Sequence, residues 1–238
     1  MKCCYALFSG GLDSALAVLL AISGKDAIKL TPIFFKYGQK SEDEEAKAAH
    51  RLIPLLREHL GNPSSILDDC REFDITGLFS WSNSPILKHS QASESSLDID
   101  VENRNMILIG CAASVIMADW KEGKEKTTKL VVGFKNEYYD TTKSFADAIN
   151  KVFAASGKWI CLDTPLIAAM QRGSSSYKRL AKLAHSRRAL GLLKKSWSCY
   201  YPRNAKPCNS CLACEGRRVF FSELGQRIRK KTHRGRLP

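Results

Sequence analysis

The sequence has no run of about 18 apolar residues, the length a bilayer-spanning helix needs, which argues against a membrane-embedded protein. Its first residues lead directly into an apolar strand pattern at Cys3 and show no signal-peptide layout, so a cytoplasmic location is expected. Histidine is scarce: His50, His59, His89, His185 and His233 show no metal-ligand spacing and read as surface or core residues. No internal repeat is visible. Acidic residues are nearly missing from the last third. From Gln171 onward, 18 Lys/Arg face 2 acids, whereas the first 170 residues carry 19 basic and 22 acidic side chains, within an overall charge of +13. A basic end of this kind attracts nucleotides, nucleic acid or an acidic protein partner, or is simply a solvated surface with a loose tail.

What is present suffices for a sizeable core: 238 residues, 44 % hydrophobic, fit one large α/β domain or one domain with a small appendix. Apolar patterning predicts strands at Cys3–Phe8, Ala27–Phe35, Ser65–Leu67, Lys129–Val132 and Trp159–Leu162. Helices are predicted at Leu12–Ile22, from a Ser41-Glu42-Asp43-Glu44 capping box to about Leu60, at Asn105–Trp120 and at Ser144–Ala155. Alternation of strand and helix is the signature of a doubly wound parallel sheet. Residues 1–166 would form this nucleotide-binding α/β domain and residues 167–238 a helical, basic, metal-binding subdomain. The Ser-rich stretch from Arg71 to Asp100 is long for a connection, and such loops are usually functional or mobile.

Between the first strand and helix lies Phe8-Ser9-Gly10-Gly11-Leu12-Asp13-Ser14. A Gly pair there lets the backbone turn tightly and aim N–H groups outward, next to a helix N-terminus suited to a phosphate chain. The Gly-Lys-Ser/Thr ending of the Walker type is missing, so this is a different phosphate binder. It resembles the SGGxDS loop of the PP-loop ATP pyrophosphatases; the alternative is an ordinary turn capped by Asp13 or Ser14. Near the other end, Cys199, Cys208, Cys211 and Cys214 form C-x8-C-x2-C-x2-C. Short loops allow four thiolates to close a tetrahedral shell, read as structural zinc, with an iron–sulfur cluster or unliganded thiols as alternatives. Cys3, Cys4, Cys70, Cys111 and Cys161 lie in apolar stretches and read as core.

The loop and the cysteines together resemble the 7-cyano-7-deazaguanine synthase family, QueC. Further pieces match in order: Phe35-Lys36-Tyr37-Gly38-Gln39, Val101-Glu102-Asn103-Arg104-Asn105, Asp163-Thr164-Pro165-Leu166, and Ser198-Cys199-Tyr200 through Cys214. The resemblance implies ATP-dependent adenylation of 7-carboxy-7-deazaguanine, amination by ammonia, and a second activation that dehydrates the amide to the nitrile. It implies ATP, Mg2+ and Zn2+ as cofactors and a homodimer as assembly. Ser9, Gly10, Gly11 and Ser14, with Phe8 and Leu12 in the same loop, would hold pyrophosphate. Asp13 would orient the loop or a magnesium ion, and Arg104 would contact phosphate or ribose. Tyr37 and Gln39 are candidates for the nucleotide, Phe35 for adenine or core. Lys178 is a candidate for the α-phosphate, with a solvated helix lysine as the plain alternative.

Gly133–Phe145, where the family places substrate contacts, departs from its pattern and is a few residues shorter; Glu137 and Asp140 remain as carboxylates for a guanine-like N–H edge. The family's Pro-Gly before Arg is Glu102-Asn103 here, and the knuckle glycine is Asn209, a residue that tolerates left-handed backbone. A divergent paralogue could pass the acyl group to a protein amine, as QueC-like proteins of bacterial antiviral defence systems do, with the basic surface recruiting an acidic partner. A PP-loop tRNA-modifying enzyme is a third reading, its RNA contacts falling steeply with salt.

Overall fold

The first strand, β1 (Lys2–Leu7), shows how alternation builds two layers from one apolar run. Cys4 and Ala6 join the core under α1 (Leu12–Ile22) and α2 (Glu42–His59), whereas Tyr5 joins the core under α3 (Arg104–Asp119) and α4 (Lys143–Ala155). The same division runs through β2 (Ile28–Lys36) and β4 (Thr128–Val131): Leu30, Phe34 and Val131 face the first layer, Ile33, Phe35 and Leu130 the second. With β3 (Arg71–Asp74) and β5 (Ile160–Asp163) they form one parallel sheet in the order β3-β2-β1-β4-β5. This computed structural model describes residues 2–23, 28–61, 66–94, 99–120, 128–157, 159–169 and 176–234. Leu16, Leu19, Leu52 and Leu56 are at most 1 % exposed, each contributing about 2 kcal/mol by leaving water.

The last third adds α5 (Pro165–Ala169), α6 (Ser176–Ser186), α7 (Leu190–Lys194) and α8 (Leu212–Arg234). Leu180, Ala184, Leu193, Phe220 and Leu224 share one continuous core with α1 and α2. Among the described residues, no helix is long and apolar enough to cross a membrane.

Four sequence expectations need correction. The third strand lies at Arg71–Asp74, paired with Ile33–Lys36, while Leu67 makes only an isolated bridge to Leu30. Ser65 falls outside the described residues, as does Ala27, the expected start of the second strand. Ser41 stands at the N-cap of α2 without capping it; its hydroxyl instead donates to Glu45 at 2.7 Å. The stretch after β3, read as a functional or mobile loop, is packed in its described residues: Ser82, Ser84 and Ser90 are buried, their hydroxyls donating to Glu102, the Ile99 carbonyl and the Asn83 carbonyl. Phe79, Ile86, Leu87 and Val101 close a third core there, beside Tyr201 and the cysteine segment. Finally, Cys4 and Cys70 are core, but Cys3 and Cys161 are exposed and Cys111 is half-buried.

The strand order sets the position of the site. The chain moves outward from β1 to β2 and β3, then returns to the other side of β1 at β4. The carboxyl ends of β1 and β4 therefore flank the crevice at which doubly wound sheets bind ligands.

Candidate phosphate-loop cleft and cysteine knuckle

The loop after β1 occupies that crevice. Phe8 N–H donates to the Ile33 carbonyl at 2.8 Å, which carries the strand one residue further before the turn. Gly10 then takes φ +70°, and a Cβ on it would lie 2.6 Å from Ala49 N and 2.8 Å from the Glu45 carbonyl oxygen. Only glycine lets the loop rest this closely on α2. The Ser14 hydroxyl donates to the Gly11 carbonyl at 3.2 Å and lies 3.3 Å from the Ser9 hydroxyl, so both hydroxyls are gathered at the start of α1. Gly11, at the N-cap, offers no side chain to the first turn, and the amides there stay available to an anion.

The loop forms one wall of a cleft of about 370 Å³. Phe8, Ser9, Gly11, Leu12, Asp13, Ser14, Tyr37, Arg104 and Glu137 all line it, so most of the residues singled out from the sequence converge. Arg104 opens α3 and donates to the Tyr37 phenol, with Tyr200 alongside. Burial pushes the Tyr37 hydroxyl up to about 12, which keeps it neutral beside the guanidinium. Asn103, just before Arg104, sits at φ 55° in the left-handed region that Asn tolerates, in place of a glycine. Phe35 is buried, packed on Phe73 with ring centroids 5.8 Å apart, and also lines the cleft.

Four of the predicted residues are not on the cleft wall: Gly10, which rests on α2 with its carbonyl accepting from Trp197, and Gln39, Asp140 and Lys178. Gln39 is 1 % exposed and spends its amide on the Tyr37 N–H, the Phe35 carbonyl and Glu45, so it fastens the loop after β2. Asp140 accepts from Asn105 Nδ2 at 2.8 Å and thereby steadies the start of α3 behind Arg104. Lys178 is exposed on α6, outside the lining. Asp163 of the Asp-Thr-Pro-Leu segment pairs with Lys129 at 3.3 Å, and Leu166 is fully buried, so this motif holds the sheet edge.

Other cleft residues carry no motif of their own. Lys135, Glu45, Tyr177 and Arg217 line it as well. The Lys135 ammonium lies 3.1 Å from Asp13 and 2.9 Å from Glu137. Arg217, on α8, donates to Ser196 at 2.8 Å and to the Lys194 carbonyl at 3.0 Å, and stacks over Phe221. Lys135 lies in the Gly133–Phe145 segment, just past the end of β4 at the crevice, but was given no role of its own from sequence; Arg217 had no sequence signal beyond lying three residues after Cys214.

The four late cysteines do converge: their sulfurs lie within 4.8 Å of one another. Cys208 and Cys214 are 3.9 Å apart, close to the roughly 3.8 Å separation of sulfurs on a tetrahedral zinc with 2.3 Å bonds. Backbone amides of Cys208 and Cys211 donate to the sulfurs of Cys199 and Cys208 at 3.2 and 3.4 Å, as they would to thiolates. Asn209 adopts φ 63° at the knuckle. The donor set therefore fits a metal ion. The knuckle is tied to the phosphate loop, since Trp197 N–H donates to the Gly10 carbonyl at 2.9 Å and Trp197 Nε1 to the Cys199 carbonyl at 2.8 Å.

The 7-cyano-7-deazaguanine synthase of Methanocaldococcus jannaschii is 27 % identical over 92 % of this chain and 94 % of its own. That of Pyrococcus abyssi is 28 % identical over 95 % of each. A 4-thiouridine synthetase solved with RNA and bound ATP aligns with 94 % of this chain and 53 % of its own, at 13 % identity and a TM-score of 0.47, too distant to bear on function. The model of the queuosine biosynthesis protein QueC matches residues 3–225, and on that extent the chain belongs to the QueC family.

Proposed function

We propose that the cleft binds ATP on the Ser9–Ser14 loop and uses it to adenylate 7-carboxy-7-deazaguanine, which ammonia then aminates on the way to 7-cyano-7-deazaguanine. The observation that carries this reading is the convergence, at the crevice between β1 and β4, of a glycine loop at a helix N-terminus with three basic side chains and the carboxylates Asp13 and Glu137. Ser9, Ser14 and the loop amides hold the pyrophosphate. Arg104, set in its tyrosine niche, supplies charge to the nucleotide. Glu137 accepts from the N–H edge of the substrate base.

A carboxylate oxygen of the substrate attacks the α-phosphorus, the bond to the bridging oxygen breaks, and pyrophosphate leaves. Ammonia attacks the acyl carbon, loses a proton, and AMP leaves as the amide forms. A second adenylation, in which the amide oxygen attacks the α-phosphorus and pyrophosphate leaves, followed by loss of AMP and of both nitrogen protons, gives the nitrile. No protein nucleophile is required; positioning and charge neutralisation supply the rate. Magnesium, arriving with the triphosphate, would share that charge neutralisation, with Asp13 as the carboxylate in reach. Zinc, on the four sulfurs, would supply structure alone, because four thiolates leave no open position.

The test is mass spectrometry of reactions containing ATP, Mg2+, 7-carboxy-7-deazaguanine and ammonium. Nitrile, AMP and pyrophosphate are the expected products. Product halted at the adenylate or amide would shift the acceptor to a macromolecular amine, and no substrate-dependent AMP would overturn the reading. In the same assay, Arg104→Met is expected to lower AMP formation about 10- to 100-fold, the worth of a hydrogen bond to a charged group, with Arg104→Lys intermediate. Unchanged AMP formation in Arg104→Met would remove Arg104 from the site.

A further inference from the structure

A phosphate chain entering this cleft meets an adverse charge. Asp13 stands in the first turn of α1, among the amides that would receive the anion, and Glu137 faces it. Among the described residues three basic side chains line the cleft, and their engagement differs. Arg217 is spent on Ser196, Ser198 and the carbonyls of Leu193 and Lys194. Arg104 is held by the tyrosines at the start of α3. Lys135 alone among them sits on the phosphate loop itself.

Its position is fixed by the backbone. Gly133, two residues earlier, passes so close to the loop that a Cβ on it would lie 3.0 Å from Asp13 C and Ser14 N. Lys135 follows at the level of the loop, its side chain 13 % exposed and its ammonium 5.0 Å above the Tyr177 ring. An ammonium has three N–H donors. Asp13 takes one and Glu137 another, which, among the described residues, leaves one for a ligand in the cleft.

We propose that Lys135 is the cation that admits the nucleotide to the loop: at rest it bridges Asp13 and Glu137 in the place a divalent ion would take, and with ATP bound its free N–H holds the α-phosphate. The inference rests on the reading of the cleft as an adenylating site. As the substrate carboxylate attacks and pyrophosphate departs, negative charge on the α-phosphate oxygens is met by an ammonium that keeps all its protons. Burial alone would lower the affinity of this amine for its proton, but the two carboxylates outweigh it and hold Lys135 charged.

Lys135→Met keeps the aliphatic stem over Tyr177 and removes only the charge, so it isolates the ammonium. It is expected to reduce AMP formation about 10- to 100-fold and to weaken binding of α,β-methylene-ATP, measured calorimetrically without acceptor, by a similar factor. It also leaves two carboxylates facing each other with no cation between them, so its AMP formation should need several-fold more Mg2+. Lys135→Ala should regain part of its activity with added methylammonium, a response that a purely structural role would not give. If Lys135→Met does not fold, Lys135→Gln and the methylammonium rescue decide the matter. Analogue affinity and AMP formation within threefold of the unsubstituted chain, with no rescue, would overturn the proposal. Absence of AMP from the unsubstituted chain despite tight, Lys135-dependent analogue binding would instead overturn the adenylation reading and leave Lys135 as a phosphate ligand.

Discussion

Cys214→Ser is expected to remove the bound metal and with it the folded state of the C-terminal helices. A serine hydroxyl stays protonated at neutral pH and cannot replace a thiolate in a tetrahedral sulfur shell. Structural zinc contributes about 10–16 kcal/mol in small zinc-dependent folds, as much as the whole stability of an ordinary domain. The effect should spread, because the knuckle is not an appendage. It begins α8, whose Phe220 and Leu224 lie in the main core, and it carries Trp197 to the Gly10 carbonyl and Arg217 to the cleft. Elemental analysis should find one zinc per chain in the unsubstituted protein and none in Cys214→Ser, whose melting should lose its cooperative transition or move down by more than about 10 °C. Cys161→Ser, at an exposed thiol on β5, should leave both unchanged. A Cys214→Ser protein with full metal and unaltered melting would refute the assignment. Iron and sulfide in place of zinc would make the site a cluster.

The parts of this fold that could be read from sequence are those where one local pattern had one physical meaning. The apolar run at Cys3, the Gly pair and the stripe from Leu12 defined strand, loop and helix because each is short-range chemistry. The cysteine spacing was equally direct, since Cys208, Cys211 and Cys214 stand three residues apart and Cys199 only nine residues before them, so short loops suffice to bring the sulfurs together. β3 was not legible. Arg71-Glu72-Phe73-Asp74 is mostly charged, and it is a strand only because β2 offers Ile33–Lys36 as an edge to pair with. Ser41 and Glu44 matched a capping box, yet the Ser41 hydroxyl is drawn to Glu45, which Gln39 also binds, so a buried network took precedence over the local motif. Cys3 and Cys161 sit among apolar neighbours but on exposed faces, and alternation alone could not say which face would be covered. Lys135 falls within the Gly133–Phe145 segment that the family resemblance marks for substrate contacts, but its place against the phosphate loop follows from the sheet order that sets β4 beside β1.

Gly10→Ala is expected to be strongly damaging, because the added methyl meets fixed backbone. Two separable costs meet there. A non-glycine residue at φ +70° costs roughly 1–2 kcal/mol. The added Cβ would also lie 2.6, 2.8 and 3.0 Å from Ala49 N, the Glu45 carbonyl oxygen and Ala48 C, all backbone atoms of α2. A side chain could swing aside; this helix cannot, because Ala49, Leu52, Ile53 and Leu56 are locked in the core. Relief must come from moving the loop, which would displace Ser9, Ser14 and the Gly10 carbonyl that holds Trp197. Overpacking of this kind adds about 1–3 kcal/mol, for a total of about 2–5 kcal/mol. At about 2–4 °C per kcal/mol for a chain of this size, the melting temperature should fall by roughly 5–20 °C, and AMP formation should drop below detection. Gly157→Ala separates the two costs. That glycine has φ +67° at the end of α4, and a Cβ on it would meet nothing within 4 Å, so it bears the backbone strain without the clash. It should melt only about 2–8 °C lower and keep its activity. If Gly10→Ala melts no lower than Gly157→Ala and still forms AMP, the loop does not rest on α2 as described, and the phosphate site built on that contact falls with it.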